Sequence, residues 1–263
     1  MKKRTSPRPK NTPSALAPLK RRDERGMAMS ILLLFARHRT LSSAQISGLL
    51  RIPASTVYRH LQTLLQAGFV VENQLIGRYS AGPEVVRLAD NYREEALAQG
   101  AVRHRLEQLS QETGELAAYL VQSSNDVLCV ESVESGHILS CSYSAGRSRP
   151  LLHGASARAI LAFMPEEEAD ETLAGNFLHP EEELAIRTDL DAVRVRGYAT
   201  SSGALAPGVW GVSAPVFDDG GHLAGVVTTM VPLERAASDD ARAQFVHGTR
   251  AAATELSQVP ATA

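Results

Sequence analysis

The sequence predicts an α+β protein of two parts: a mainly helical N-terminal part ending in a short β-hairpin, and a C-terminal part in which antiparallel strands alternate with helices. Its 263 residues exceed the roughly 100 to 150 residues of an ordinary domain. The charge divides as well, because residues 1–92 hold 15 Lys and Arg against 5 Asp and Glu, whereas the remainder holds 12 against 24. A front half that binds a polyanion and a back half with another task are therefore expected.

The first 25 residues, MKKRTSPRPKNTPSALAPLKRRDER, contain nine Lys or Arg and four Pro and little that a core would bury. This composition predicts a disordered basic arm over 1–25, which serves either as a solubilising tail or as a source of further phosphate contacts. The arm has no apolar run typical of a secretory signal, and no stretch of about 18 apolar residues follows it. A cytoplasmic protein with no membrane contact is therefore expected.

Helical periodicity begins near Gly26 and predicts three successive helices. Ser42 or Ser43 is the expected N-cap of the second helix, Pro53 ends that helix, and Ser55 is the expected cap of the third. Gly68 ends the third helix. The predicted core residues of the three helices are Met27, Ile31, Leu34, Phe35, Ile46, Leu49, Leu50, Val57, Leu61, Leu64 and Leu65.

The third helix has a polar, cationic face opposite its apolar row. At about 100° per residue, Arg59 and Thr63 fall on the side away from Val57. Such a face suits a recognition helix, and FVVENQLIGRYSAG predicts a two-stranded wing behind it. An ordinary amphipathic helix also has a polar face, but five arginines against one acid between positions 26 and 82 favour DNA. The predicted DNA-contacting residues of this winged helix-turn-helix are Ser43, Gln45, Ser55, Thr56, Tyr58, Arg59, Thr63 and Arg78.

Helices and strands alternate along the rest of the chain. Pro83 begins a helix with one apolar face, and Gly114 ends the next one. LAAYLVQSSNDVLCVESVESGHILSCSYSAG predicts consecutive antiparallel strands, and GASARAILAFM predicts a helix of small residues. Acidic helices are expected near 166–174 and 181–196. Two more strands, VWGVSAPVF and HLAGVVTTMVP, flank the turn DDGG, and a helix from about 239 to 257 follows.

A small-molecule site is predicted where HGASARAIL begins its helix. Small residues there leave the first free amides accessible to a carboxylate, with Arg147 or Arg149 as countercharge, although close packing on the sheet explains the same residues. Trp210 is either a flat wall for an aromatic ligand or part of the core, and alternation alone does not decide which strand face lines a cavity. The candidate effector-binding residues are Arg147, Gly154, Ala155, Ser156, Trp210, Ser213, Thr228 and Met230.

Catalytic chemistry has little support in the sequence. The eight histidines show no metal-ligand spacing, and no Cys-x-x-Cys, phosphate-binding loop or nucleophile elbow occurs. Cys129 and Cys141 are expected to be reduced core thiols. No enzymatic activity, cofactor or metal is therefore expected. A sensor that binds only proteins is the alternative, and it leaves the basic helix-turn-helix unexplained.

Four segments are informative in their residue identities as well as in their periodicity: LSSAQISGLLRIPASTVYRHLQTLLQAGFVVE, GRYSAGPEVVRLA, GRSRPLLHGASARAILA and LDAVRVRGYATSSGALAPGVWGVSAPVFDDGGHLAGVV. In order and spacing they resemble the IclR family of bacterial transcriptional regulators, from about position 26 to 257. The resemblance implies a winged helix over 26–82 with its helix-turn-helix at about 42–66, a linker helix used in dimerisation over 83–100, a GAF-like effector-binding domain over 101–258, and a tail over 259–263.

The same resemblance implies a homodimer or homotetramer, more often a repressor, that binds a palindromic operator in double-stranded DNA under control of a small-molecule effector. The chain departs from the family where Ala157 and Arg158 replace the usual Gly-Lys, and where Gly203 and Ala204 replace the frequent Gly-Glu. Thr228 and Met230 also stand where members often have Ser-rich polar positions, and together these departures argue against a polar pocket for a small acid. Trp210 and Met230 beside the helix start predict an effector with an apolar or aromatic body and one carboxylate.

Overall fold

The structure is a computed structural model that describes residues 26–73, 77–97, 100–134, 143–174, 176 and 179–259. The predicted basic arm, the end of the predicted tail and Cys141 lie outside the described residues. Cys129 is a buried free thiol, as predicted. No helix among the described residues combines the length and apolar character that crossing a membrane requires.

The N-terminal half is a helix-turn-helix followed by a wing. Its elements are α1 (Met27–Leu34), β1 (Leu41–Ser42), α2 (Ser43–Leu50), α3 (Ala54–Gln66), β2 (Val70–Glu72) and β3 (Arg78–Ala81). The short strand β1, which the sequence analysis missed, pairs with β3, so the sheet has three antiparallel strands in the order β1-β3-β2.

The apolar rows of the three helices form one core, as predicted, with Ile31, Ile46 and Val57 all fully buried. Leu49 is the exception, because its side chain is 49% exposed. The prediction for Leu49 is wrong because, on this eight-residue helix, Ile46 and Leu50 already supply the inward contacts and Leu49 falls on the outer side.

The N-cap of α2 is Ser42. Its hydroxyl accepts a hydrogen bond from the Gln45 amide at 3.2 Å, and the Gln45 side-chain oxygen accepts one from the Ser42 amide at 2.9 Å, which completes a capping box. Ser55 does not cap α3: Pro53 is the N-cap residue, and Ser55 already lies inside the first turn. The extended backbone that precedes a helix is supplied by Pro53, since its ring restricts φ to values near −65°.

Two helices connect the halves. They are α4 (Glu84–Ala96) and α5 (Ala101–Thr113), and α5 ends at Gly114, whose φ of 71° suits a glycine C-cap. The apolar face of α4 remains exposed in a single copy of the chain, with Val86 60%, Leu88 57% and Tyr92 43% exposed.

The C-terminal half is built on a six-stranded antiparallel sheet in the order β6-β5-β4-β9-β8-β7. The two edge strands, β6 and β7, are short and were not predicted from the sequence. The strands are β4 (Leu116–Ser123), β5 (Asp126–Val133), β6 (Ser148–Pro150), β7 (Ala199–Ser202), β8 (Val209–Phe217) and β9 (Leu223–Pro232). The helices are α6 (Ala155–Phe163), α7 (Glu166–Leu173), α8 (Pro180–Arg196) and α9 (Asp239–Leu256).

Helices cover both faces of this sheet. On one face α6 packs against β8 and β9, with α8 packed on α6, and on the other face α5 and α9 pack against β4, β5, β8 and β9. Because side chains alternate along a strand, Met230 belongs to the core under α6 whereas Val231 belongs to the core under α9. The sheet therefore separates two interior regions that share no side chain.

The two halves also touch outside the connecting helices. Arg37, just after α1, forms an ion pair with Asp126 at the start of β5, and the Ser148 hydroxyl donates a longer hydrogen bond of 3.5 Å to the same carboxylate. This contact joins the segment after α1 to the first residue of β5.

Candidate functional site

The outer face of α3 is polar and open to solvent. Of the residues predicted to contact DNA, Ser55, Tyr58, Arg59 and Thr63 are exposed on this face and Thr56 is half-buried. The opposite face of the helix supplies the buried row seen in the core. This arrangement presents a cationic, hydrogen-bonding surface on a helix held rigidly from behind, as insertion into a major groove requires.

Several of the predicted residues also form hydrogen bonds within the domain. The Ser43 hydroxyl donates to the Tyr58 hydroxyl at 3.0 Å, which links α2 to α3. Gln45 completes the capping box, and the Thr63 hydroxyl is directed at the Arg59 carbonyl at 3.4 Å. These side chains are therefore pre-positioned, because their rotamers are limited by bonds within the domain.

The predicted wing residue lies at the turn end of its hairpin. Arg78 is the first residue of β3, where it is half-buried and paired with Ser42 in the sheet register. The Glu72 carboxylate accepts a hydrogen bond from the Gly77 amide at 3.2 Å and so closes the end of the turn. Arg78 thus lies beside the N-cap of α2, on the same domain surface as the helix-turn-helix.

A small cavity lies between the start of α6 and the sheet. Its volume is about 10 Å³, which is room for about one water molecule. The cavity brings together Ala155, Ser156, Thr228 and Met230 from the predicted effector set, and Gly154 precedes them as the N-cap of α6. The lining residues are Tyr143, Ala155, Ser156, Ser201, Leu205, Val209, Gly211, Thr228 and Met230.

Hydroxyl groups dominate the polar surface of this cavity. The hydroxyls of Tyr143 and Ser156 form a hydrogen bond of 2.5 Å, and the Ser201 hydroxyl accepts the Ala155 amide at 3.0 Å. Thr228 shares a hydrogen bond of 2.7 Å with Ser213, which lies next to it on β8. Burial raises the pKa of the Tyr143 phenol more than its hydrogen bond with Ser156 lowers it, so Tyr143 stays protonated and able to donate.

Two backbone amides at the start of α6 remain for a ligand. The first amides of an α-helix have no partner inside the helix and lie at the positive end of its dipole. Ala155 donates to Ser201, but within the part of the chain that the structure describes the amides of Ser156 and Ala157 donate no hydrogen bond. Both residues are buried, at 1% and 0% exposure. Buried donors of this kind favour an anion.

Leu205 closes the cavity from the loop between β7 and β8. A Cβ placed on Gly154, whose φ is 93°, would lie only 3.1 Å from Cγ of Leu205. Gly203 and Gly208 have φ values of 67° and 79° at the two ends of this loop. A ligand larger than water therefore requires the Leu205 side chain to move.

Four of the predicted effector residues do not line the cavity, and one of them, Gly154, adjoins it as the N-cap of α6. Trp210 lies on the other face of the sheet, with its ring 6.3 Å from that of Phe245, and its neighbour Gly211 takes the place facing α6. The expected juxtaposition of Trp210 with Met230 is therefore corrected, because the two side chains belong to opposite sheet faces. Arg147 is exposed in the loop before β6, and Ser213 contacts the cavity only through Thr228.

Five residues of the cavity were not predicted from the sequence, namely Tyr143, Ser201, Leu205, Val209 and Gly211. Alternation along β8 pairs Val209 and Gly211 with Ser213, so choosing the correct face would have identified them. Ser201 and Leu205 belong to a short edge strand and a loop, which carry little periodic signal. Tyr143 follows a stretch outside the described residues.

Comparisons with known protein families match nearly the whole described chain. Residues 27–74 match the IclR helix-turn-helix domain, and residues 96–258 match the bacterial transcriptional regulator IclR C-terminal domain. The second match begins at the end of α4 and includes α6, the six-stranded sheet and the cavity.

Curated relatives share 26% to 29% sequence identity with this chain over most of its length. The glycerol operon regulatory protein of Streptomyces griseus is 29% identical over 246 residues, which cover 89% of this chain and 94% of that protein. The HTH-type transcriptional regulator KipR of Bacillus subtilis and the transcriptional repressor IclR of Escherichia coli are each 26% identical, over 73% and 74% of this chain and 78% and 73% of those proteins.

Solved structures share the fold. An IclR transcriptional regulator from Silicibacter sp. TM1040 superposes with a TM-score of 0.82 at 24% identity, over 90% of this chain and 95% of that one. A regulator of the same type from Alicyclobacillus acidocaldarius superposes with a TM-score of 0.73 at 25% identity, over 89% and 97% of the two chains. The arrangement of both halves is thus shared with these proteins.

Proposed function

This chain belongs to the IclR family of bacterial transcriptional regulators, and from that premise we propose that α3 reads a DNA operator while the cavity under α6 takes a small organic acid. It is a transcriptional regulator with a DNA-binding helix-turn-helix domain and a C-terminal effector-binding domain.

The exposed face of α3 is the observation that supports its role in reading DNA. Arg59 is exposed at the middle of this face, where a guanidinium can form two hydrogen bonds with a guanine edge. Ser55 and Thr56 lie in the first turn of α3, where backbone amides and the helix dipole favour a phosphate. Arg78 beside the α2 N-cap supplies a further phosphate contact in this proposal.

A footprint on the DNA that flanks the gene for this protein tests the assignment. We expect a protected palindrome whose two half-sites lie about one helical turn apart. Affinity for that site should fall steeply as salt rises, because phosphate contacts release condensed counterions. Equal protection of unrelated DNA at low salt, with no preferred site, would contradict a sequence-specific role for α3.

Substitution of Arg59 separates the recognition of specific bases from general electrostatic attraction to DNA. Arg59→Ala should weaken specific binding by about 1–3 kcal/mol, the discrimination carried by one bidentate base contact. The matched control is Arg87→Ala, which removes an exposed arginine of α4 that pairs with Glu84. Equal losses in the two variants would mean that charge alone explains the effect of Arg59.

The effector proposed for the α6 cavity is a small carboxylic acid. The free amides of Ser156 and Ala157 suit its carboxylate, and the hydroxyls of Tyr143, Ser201 and Thr228 suit polar groups on its body. Among the described residues, those lining the cavity carry no charged side chain. Because the cavity is closed by Leu205, binding is expected to displace the loop between β7 and β8.

Coupling to DNA is proposed to run through α4 in a homodimer or homotetramer. Val86, Leu88 and Tyr92 expose an apolar face that a second copy would cover. The spacing between the two recognition helices then depends on how the paired α4 helices are placed. A palindromic operator selects one such spacing. Release of the operator on effector binding would make the protein a repressor, as its E. coli relative is described.

Neighbouring threonines on β9 provide a matched test of the cavity. Thr228 faces α6 and Thr229 faces α9, both are buried, and each shares a hydroxyl–hydroxyl bond of 2.7 Å, with Ser213 and Thr249 respectively. Operator affinity is measured with acetate, lactate and benzoate. Thr228→Val should abolish the response to the active acid, whereas Thr229→Val should retain it at similar thermal stability. Loss in both variants, or in neither, would reject the cavity as the effector site.

The family consists of transcriptional regulators rather than enzymes, and the proposal assigns no catalytic activity to this chain. A DNA target also places the protein in the cytoplasm. A sensor that acts only through protein partners is the alternative, and the absence of any salt-sensitive DNA binding would favour it.

A further inference from the structure

A groove lies on the face of the six-stranded sheet opposite the α6 cavity, between α9 and the β7 edge. Its volume is about 470 Å³, within the range of about 300–1,000 Å³ that is usual for ligand pockets. The groove is lined in part by Arg196, Tyr198, Trp210, Arg242, Val246 and Arg250. The sheet lies between this groove and the cavity under α6, and the two sites share no lining residue.

The groove is cationic although the chain around it is acidic. Three arginines and one aspartate line it, whereas beyond residue 92 the chain has 24 acidic residues against 12 basic ones. Arg196 pairs with Asp189, which lies outside the groove, and Arg242 pairs with Asp239, each at a long 3.7 Å. The Arg242 Nε also donates a hydrogen bond to the Ala236 carbonyl at 2.7 Å. Among the residues that the structure describes, Arg250 has no ion-pair partner at all.

Two of these arginines approach the same aromatic ring. The guanidinium carbons of Arg196 and Arg250 lie 5.4 Å and 5.9 Å from the centroid of Tyr198, within the distance of a cation–π contact. The Arg196 Nε also donates to the Tyr198 carbonyl at 2.6 Å, which fixes its position. Two like charges gathered around one ring repel each other, and an anion between them would remove that cost.

The floor of the groove is apolar and aromatic. Trp210 lies at its base with only 5% of its surface exposed, and Val246 of α9 lies beside it. Guanidinium groups bind carboxylates through two parallel hydrogen bonds, and aromatic surfaces favour a planar apolar group. A ligand that satisfies both features carries a carboxylate on a flat, apolar body.

We propose that this groove is a second binding site, distinct from the effector cavity, for a small organic anion of the aromatic carboxylate class. Arg250 is the main countercharge, Arg196 supports it, and the Tyr198 and Trp210 rings contact the planar body. The proposal does not depend on the α6 cavity, because it rests on a different face of the sheet and different residues.

The single tryptophan of the chain provides the measurement. Trp210 is the only tryptophan, so its fluorescence reports the groove in the unmodified full-length protein. Benzoate is the probe, with acetate and inorganic phosphate for comparison. We expect a saturable change in Trp210 emission with benzoate, and at least tenfold weaker binding of acetate, which lacks the planar body.

Four variants locate the response. Arg250→Ala and Arg250→Gln, both at an exposed position, should raise the Kd for benzoate at least tenfold without altering the melting temperature. The matched control is Arg187→Ala, which removes an arginine of α8 that pairs with Asp170 and Glu183 outside the groove. Thr228→Val should leave the Trp210 response unchanged, which separates this site from the α6 cavity.

Several results would overturn the proposal. These are an unsaturable response, a response of equal size with phosphate and acetate, or benzoate binding that is unaffected in both Arg250 variants. A response lost in Thr228→Val but kept in Arg250→Ala would assign benzoate to the α6 cavity instead. If sedimentation showed that Arg250→Ala changes only the oligomeric state, the groove would be a contact between copies of the chain.

Discussion

Tyr143 and Ser156 form a hydroxyl–hydroxyl hydrogen bond of 2.5 Å in the interior of the C-terminal half, where their exposed fractions are only 2% and 1%. The bond joins the segment before β6 to the first turn of α6. It also fixes one wall of the cavity and holds the Ser156 hydroxyl beside the amides proposed to bind a carboxylate.

A double-mutant cycle measures the contribution of this bond to stability. Tyr143→Phe leaves the buried Ser156 hydroxyl without its partner, so the free energy of unfolding should fall by about 1–3 kcal/mol. Ser156→Ala should cost a similar amount, and the double variant should cost less than the sum of the two. Denaturant unfolding of the four proteins provides the comparison. Strict additivity would show that the two hydroxyls do not interact.

Gly82 is predicted to be intolerant of any side chain. A Cβ at this position would lie 2.2 Å from the Gly68 carbonyl oxygen and 2.9 Å from the Phe69 carbonyl carbon, and neither backbone atom can move aside cheaply. Gly82→Ala should therefore lower the free energy of unfolding by at least about 1–3 kcal/mol, the usual cost of overpacking. Thermal unfolding is the measurement.

The control for that prediction is Gly48→Ala, in α2. A Cβ there would have no atom within 4 Å, and alanine is favoured over glycine inside a helix by about 0.5–1 kcal/mol. Gly48→Ala should therefore leave stability unchanged or raise it. A Gly82→Ala protein as stable as Gly48→Ala would contradict the close approach at the wing.

Cys129 is predicted to be unreactive in the folded protein. Burial raises the pKa of its thiol to about 12, and only the thiolate attacks thiol reagents. In a Cys141→Ser background Cys129 is the remaining cysteine. A chromogenic disulfide at pH 8 should label it within minutes in denaturant and orders of magnitude more slowly in the native state. Equal labelling rates would show that the thiol is accessible.

Glu115 is predicted to make stability depend on pH. Its side chain is fully buried and pairs with Arg235 at 3.0 Å, yet burial raises the carboxyl pKa more than Arg235 lowers it. A raised pKa in the folded state means that the folded protein binds the proton more tightly than the unfolded one. The stabilising effect of this proton is complete at pH values below the ordinary pKa of a glutamate. It is lost as pH rises through the raised pKa of the folded state.

Substitution of Glu115 tests that sign. Glu115→Gln mimics the protonated side chain, so the decline in stability from pH 4 upward should become shallower. The variant should therefore become more stable relative to the parent protein as pH rises. Glu94→Gln, at an exposed position of α4, serves as the control and should follow the parent. A steeper decline in Glu115→Gln would mean that the ion pair with Arg235 outweighs the burial of the charge.

The sequence predicted best those elements that have long periodic patterns. The apolar rows of α1 and α3 and the paired strands β8 and β9 follow directly from spacing, because each buries one regular face. Leu49 and the strands β1, β6 and β7 were missed because a two- to four-residue strand or a single position in a short helix has no periodic signal of its own.

The candidate site was predicted less completely, and for a different reason. Small residues identified the start of α6, but the choice between Trp210 and Gly211 depends on which sheet face α6 covers. That choice is set by contacts between distant parts of the chain, which alternation along one strand does not contain. Leu205 lies in a loop, and its position over Gly154 follows only from the folded chain.

In α3, the residues that pack in the domain core and those proposed to read DNA occupy opposite sides of one helix. The wing is fixed elsewhere, by Gly68 before β2 and Gly82 after β3. Changes at positions such as Ser55 or Arg59 therefore leave the core untouched. After a gene duplication, two descendants of this protein could acquire different operators by a few such changes, without passing through an unstable intermediate. The wing junction, by contrast, is expected to stay the same in both lineages.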